Sequence, residues 1–147
     1  MKYTIEDFKR QFPDNKACLA FLYKTRWPRG AACKCGHSDC FYPIESRKSY
    51  SCSWCGYQIS PTAGTIFHKS PTPLVMWFHA IFLMGQSKNG VAAKEIQRHL
   101  GVTYKCAWRI ARQIRRLMKP NTEPLAGHVE ADETYVGGKR PGKRGRG

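Results

Sequence analysis

Four cysteines, paired as Cys33-x-Cys35 and, sixteen residues further on, Cys52-x-x-Cys55, carry the spacing of a tetrahedral thiolate zinc site. A glycine follows each pair directly (Gly36 and Gly56), and glycine lets the backbone turn tightly beneath a metal. The second pair has the regular spacing. The first is one residue short of C-x-x-C, and His37 and Cys40 lie close enough in sequence to replace one of its ligands. Two further cysteines, Cys18 and Cys106, fall on apolar helical stripes and read as core. Seven cysteines could instead form disulfides, but the start, MKYTIEDFKRQFPDN, is charged and amphipathic and has no signal-peptide character. The expectation is therefore a structural Zn²⁺ in a reducing cytoplasm.

A second kind of chemistry is electrostatic. Lys plus Arg number 25 against 10 Asp plus Glu, a formal net charge of +15, and a surface of that sign attracts polyanions, nucleic acid above all. The excess is concentrated: from Lys88 to Lys119 there are nine basic residues and only Glu95 opposes them. On a helix beginning at Tyr104, Cys106, Ile110, Ile114 and Leu117 share one side, while Lys105, Arg109, Arg112, Arg115, Arg116 and Lys119 share the other. Solvated helix faces usually mix signs, and this one does not. Lys105, Arg109, Arg112 and Arg116 are the candidate DNA contacts, Arg109 and Arg112 first among them, and Trp108 lies within the same face.

A third group is acidic. In His128-Val129-Glu130-Ala131-Asp132-Glu133-Thr134-Tyr135-Val136, strand alternation sets Glu130, Asp132 and Thr134 on one face and Val129, Ala131 and Tyr135 on the other. A carboxylate near a strand end is a common metal-binding position, although an acidic strand alone proves nothing.

The elements that must position these groups are short. Thr4 with Asp7 predicts a helix start, and Asp14 after Pro13 caps a second helix with Cys18, Leu19, Leu22 and Tyr23 as its stripe. Between the cysteine pairs, residues 41–44 and 49–51 read as strands separated by a charged turn. Pro73 opens a helix through about Met84 that is apolar nearly all round and hence buried, and residues 85–90 read as a polar connection. Ala92, Ala93, Ile96 and Leu100, the turn Gly101-Val102-Thr103 and the helix from Tyr104 have the form of a helix-turn-helix. The longest apolar stretch, from Leu74 to Gly85, is far shorter than the roughly 20 residues of a membrane helix, so no span is expected.

Taken in order, Trp27-Pro28-Arg29-Gly30, the cysteine ribbon, Ala63-Gly64-Thr65-Ile66-Phe67-His68, the helix containing Trp77, the helix-turn-helix and Glu130-x-Asp132-Glu133-Thr134-Tyr135 resemble bacterial insertion-sequence transposases with an N-terminal zinc ribbon and an RNase-H-like DDE catalytic domain. The resemblance implies an α+β, multi-module fold: N-terminal helices (1–26), a zinc ribbon (27–69), a helical helix-turn-helix region (70–119), a linker (120–127) and the first strand of an incomplete catalytic domain with a basic tail (128–147). By that similarity Asp132 corresponds to the first catalytic carboxylate, a ligand of two Mg²⁺ ions that activate the attacking oxygen and stabilise the leaving one. Glu130 and Glu133 belong to the motif without a catalytic role. The remaining ligands of such a centre lie well downstream in the family, so the 147 residues are expected to bind DNA and not to cut it, with residues beyond about Pro120 poorly ordered. The first cysteine pair also departs from the pattern: its regular partner position is Ala32, which cannot ligate, so Cys33 must reach in from a shifted position, or Cys40 or His37 must substitute.

The expected partner is double-stranded DNA, the terminal inverted repeats of an element, with a homodimer on DNA as one arrangement. Two other functions fit the same residues: a non-catalytic DNA-binding regulator built from ribbon and helix-turn-helix, and a zinc-ribbon module of transcription or RNA machinery. Preference for single strands would favour the last.

Overall fold

The computed structural model describes residues 3–118. The chain enters its first helix through a reciprocal cap: the Asp7 N–H donates to the Thr4 hydroxyl at 3.2 Å and the Thr4 N–H donates to the Asp7 carboxylate at 3.0 Å, starting α1 (Ile5–Gln11). Pro13 ends that turn, and Asp14 accepts from the Ala17 N–H at 2.7 Å to start α2 (Asn15–Arg26). Cys18 on α2 is 0% exposed and serves packing alone, as its stripe predicts.

Three short strands follow, β1 (Phe41–Pro43), β2 (Tyr50–Cys52) and β3 (Gln58–Ile59), paired antiparallel in the order β1-β2-β3. Their register sets Phe41 opposite Cys52 and Tyr50 opposite Ile59. All of β2 is buried, and its Tyr50 ring stacks on Tyr23 of α2 with centroids 4.3 Å apart. At the far end of α2, Arg26 donates to the carbonyls of Pro61 and Ala63 in the turn after β3.

The next helix, α3 (Leu74–Gln86), starts at Pro73, and its Val75 N–H is met by the Asn15 side chain at 3.2 Å. It takes in Gly85 and Gln86, which the sequence assigned to the connection. Helices α4 (Ala93–Leu100) and α5 (Tyr104–Leu117) are joined through Gly101, whose φ of 64° suits glycine, and Thr103, whose hydroxyl accepts from the Cys106 N–H at 3.3 Å. Helix α3 packs against α2, α4 and α5, which is why an element with no polar face is stable here.

The buried residues form one continuous cluster from Phe8 and Phe12 through Tyr50, Phe67, Trp77 and Phe78 to Ile96, Ile110 and Ile114. Fully burying a side chain such as Leu74, Ile96 or Ile110 contributes roughly 1.5–3 kcal/mol. Leu117, expected on the buried side of α5, is 64% exposed. Helix α5 has 14 residues against 8 in α4, so its last turn projects beyond the helix that covers the rest. Cys106 is half-buried at the edge of the core, its Sγ 3.4 Å from the Thr72 hydroxyl.

Candidate metal centre and basic helix face

Two hairpin turns build the metal centre. In the first knuckle the Cys33 N–H donates to the His37 carbonyl at 2.9 Å and the Gly36 N–H to the Cys33 carbonyl at 3.1 Å. In the second, the Cys52 N–H donates to the Tyr57 carbonyl at 2.9 Å and the Gly56 N–H to the Cys52 carbonyl at 3.0 Å. Gly36 and Gly56 take φ values of 87° and 70°, the left-handed conformation each turn needs. Opposed in this way, the Sγ atoms of Cys33, Cys35, Cys52 and Cys55 all lie within 4.8 Å of one another.

The donor set suits Zn²⁺. A tetrahedral site with Zn–S bonds of about 2.3 Å sets its sulfurs about 3.8 Å apart. Cys35 and Cys52 are 3.8 Å apart and Cys33 and Cys55 3.3 Å. Burial pushes the Cys52 thiol up, but the N–H groups of Cys55 and Trp54 and the thiols of Cys40 and Cys33 outweigh it and hold Cys52 down to about 6. The His37 N–H, then the Cys33 thiol, likewise lower Cys35. Cys33 moves the other way: the Cys35 N–H lowers it, but burial and the thiols of Cys35, Cys55 and Cys52 outweigh that and push it up to about 12, so a divalent ion, which requires thiolates, would have to displace its proton. Zinc bound there would clamp two turns that otherwise rest on a small three-stranded sheet.

The short first pair thus does not keep Cys33 out of the cluster. His37 is turned elsewhere, stacked on Trp54 with centroids 4.6 Å apart and planes at 11°. The Lys34 ammonium lies 4.9 Å from the Tyr57 ring centroid, so the knuckles are joined twice by aromatic contacts outside the thiols. Trp54 is 71% exposed, a prominence that no helical or strand periodicity signals.

On α5 the sequence candidates divide. Lys105, Arg112 and Arg116 are exposed and, among the described residues, make no hydrogen bond or ion pair. The Arg112 guanidinium lies 5.2 Å from the ring centroid of Trp108, which is 47% exposed. Trp108 therefore faces outward with the cations. Arg109 is occupied within the molecule: its Nη2 donates to the Ser70 hydroxyl at 2.9 Å and reaches the Thr72 hydroxyl at 3.4 Å, and its guanidinium lies 6.0 Å from the Trp77 ring centroid. Arg115 donates to the Val91 carbonyl at 2.8 Å. The stripe read along the helix as uniform is thus partly spent on holding α5 in place.

What the sequence reading missed is the segment Ser70-Pro71-Thr72-Pro73. The Ser70 hydroxyl accepts from Trp77 Nε1 at 3.0 Å as well as from Arg109, and Lys48 in the β1–β2 turn donates to the Ser70 and Thr72 carbonyls at 3.0 Å each. Hydroxyl residues alternating with prolines were its only signal: an extended stretch unable to satisfy its own carbonyls.

A cavity of about 620 Å³ lies between the start of α2 and the β1–β2 turn, lined by Leu19, Pro43, Ile44 and Tyr50 among others. Its carboxylates are engaged, Asp14 as a helix cap and Glu45 with Lys16 at 2.7 Å. Among the described residues no helix is long and apolar enough to cross a membrane. Lys119, Glu130, Asp132, Glu133, the linker 120–127 and the segment 128–147 lie outside the described residues.

Residues 13–58 match the transposase zinc-ribbon domain. Over 140 residues the chain is 24% identical to a protein described as "Uncharacterized protein in transposable element ISH50" from Halobacterium salinarum, covering 93% of this chain and 46% of that protein. The chain thus spans about half the length of the curated relative it matches. No solved structure matches it. The ribbon match and the insertion-element relative support a transposase-related role.

Proposed function

We propose that this chain carries the DNA-recognition region of an insertion-sequence transposase of the bacterial type, in which a zinc ribbon (27–69) and a helix-turn-helix region (70–119) bind the terminal inverted repeats ahead of an RNase-H-like DDE catalytic domain. The observation that carries the reading is the conjunction, in one chain, of a transposase-type ribbon with four convergent thiols and a helix that exposes cations of one sign. Helix α5 supplies the groove-facing element, Lys105, Arg112 and Arg116 its contacts, and Trp108 stacks or packs against the backbone sugars. Arg109 holds the helix and adds at most a peripheral contact. Beyond the linker (120–127), Asp132 is the first carboxylate ligand of the Mg²⁺ pair, and phosphodiester cleavage and strand transfer belong to the complete catalytic centre. The protein acts in the cytoplasm, as a homodimer when two element ends are brought together.

Binding of labelled duplexes, one ending in the inverted repeat of the source element and one scrambled, followed across a salt series, tests this. The native chain should prefer the repeat. Replacing a phosphate-contacting residue with alanine should weaken both duplexes and reduce the salt slope by about 1, whereas loss of a base contact should cost about 1–3 kcal/mol at one position only. Equal affinity for repeat and scrambled duplex, or tighter binding of single strands, would defeat the reading.

A further inference from the structure

We propose that Cys40 is a fifth zinc-binding thiol, so that the ribbon holds its ion through Cys35, Cys52 and Cys55 together with either Cys33 or Cys40. The inference rests on the reading of the ribbon as a zinc site and concerns which sulfurs complete it.

Cys40 Sγ lies 3.2 Å from Cys52 Sγ, within the separation of two sulfurs on one tetrahedral zinc, about 3.8 Å. The backbone places it there. Cys40 directly precedes β1, and its carbonyl accepts from the Ser53 N–H at 2.9 Å, which fixes it opposite the second knuckle. The preceding residue, Asp39, takes a left-handed φ of 57° and turns the chain back toward the cluster. Gly30 makes room for that turn: a Cβ there would stand 2.9 Å from the Asp39 carboxylate.

Two further observations separate Cys40 from a structural cysteine. Cys18 is wholly buried among apolar side chains, whereas Cys40 is half-buried outside the hydrophobic cluster, its Sγ against the Cys52 thiol and 3.8 Å from the His37 carbonyl. The first pair is also one residue short, so Cys33 and Cys35 must both approach the metal from one tight turn. A fifth sulfur on the Cys52 side lets the ion trade that approach for a less constrained one. With zinc bound, an exchange would balance: Cys40 would give up its proton as it became a ligand and Cys33 would take one as it left, with no change of oxidation state.

The test uses the full chain, purified with Zn²⁺ and desalted, in native form and as Cys33→Ser, Cys40→Ser and Cys33→Ser/Cys40→Ser. Each single variant should retain one zinc per chain, with affinity in chelator competition lowered less than about tenfold, and the double variant should lose it. Loss of zinc from Cys33→Ser with none from Cys40→Ser would overturn the proposal, as would full retention by the double variant. Should the variants misfold, alkylation of the zinc-loaded native chain followed by peptide mass mapping decides: partial labelling of both Cys33 and Cys40 supports exchange, and complete labelling of Cys40 with full protection of Cys33 refutes it. A native chain without zinc would refute the ribbon reading itself, a separate result.

Discussion

Arg109 and Arg112 stand three residues apart on α5, carry the same charge, and have different tasks. Arg109→Ala removes hydrogen bonds to Ser70 and Thr72 and should lower stability by about 1 kcal/mol, read as a fall in the thermal midpoint. Arg112→Ala should leave the midpoint unchanged and weaken DNA binding. The reverse pattern would place Arg109 in the interface. Sequence periodicity located both on the polar side of the helix, but it has no means of seeing the Ser70 hydroxyl, thirty-nine residues earlier in the chain. A second residue responds to pH. His79 stacks on Phe8, and burial, then the positive charges of His99 and Lys9, lower it from its ordinary value near 6.5. The unfolded chain therefore takes up the proton first as pH falls. Stability is fully present above about 6.5 and declines below it until the folded-state value is passed. His79→Gln at saturating zinc should flatten the fall in thermal midpoint between about pH 7 and pH 5. An unchanged slope would assign that fall to other groups.

At the scale of elements, the connection between α4 and α5 has one backbone position that decides its geometry. Gly101 has a φ of 64° and nothing within 4 Å of the place a Cβ would occupy. Gly101→Ala therefore meets only backbone strain and should cost about 1–2 kcal/mol, while Gly101→Asn should cost less. Equal thermal midpoints for the native chain and the alanine variant would show that this turn tolerates another conformation. The turn was legible because Gly101-Val102-Thr103 between two apolar stripes has few other readings; that the Thr103 hydroxyl also caps α5 is seen in the structure. The end of α5 was less legible. Leu117 continues the apolar period, and only the shorter length of α4 leaves it uncovered.

For the whole molecule the question is whether ribbon and helices unfold together. Several ties cross between them: the Tyr23–Tyr50 stack, which belongs to one hydrophobic cluster, the Arg26 bonds to the Pro61 and Ala63 carbonyls, the Lys16–Glu45 ion pair and the bonds from Lys48 to Ser70 and Thr72. Zinc binding to the folded ribbon should then stabilise the helices as well. Removal of zinc by a strong chelator should lower one shared unfolding transition, seen at the same temperature by far-ultraviolet circular dichroism and by tryptophan fluorescence. Two separated transitions would mean that the ties are too weak to couple the parts.

The sequence by itself determined the local matters: the two knuckles, the caps at Thr4 and Asp14, the turn at Gly101, the buried character of α3 and the sign of the charge on α5. Each follows from side chains a few residues apart, where spacing and backbone preference suffice. Tertiary structure alone decided that Cys33 reaches its three partners despite the short pair, that Cys40 comes to rest against Cys52, that Arg109 is drawn into the Ser70 network and that ribbon and helices share a core. Those outcomes depend on which distant backbone groups are left unpaired and which volumes must be filled, and both are settled only when the chain closes on itself.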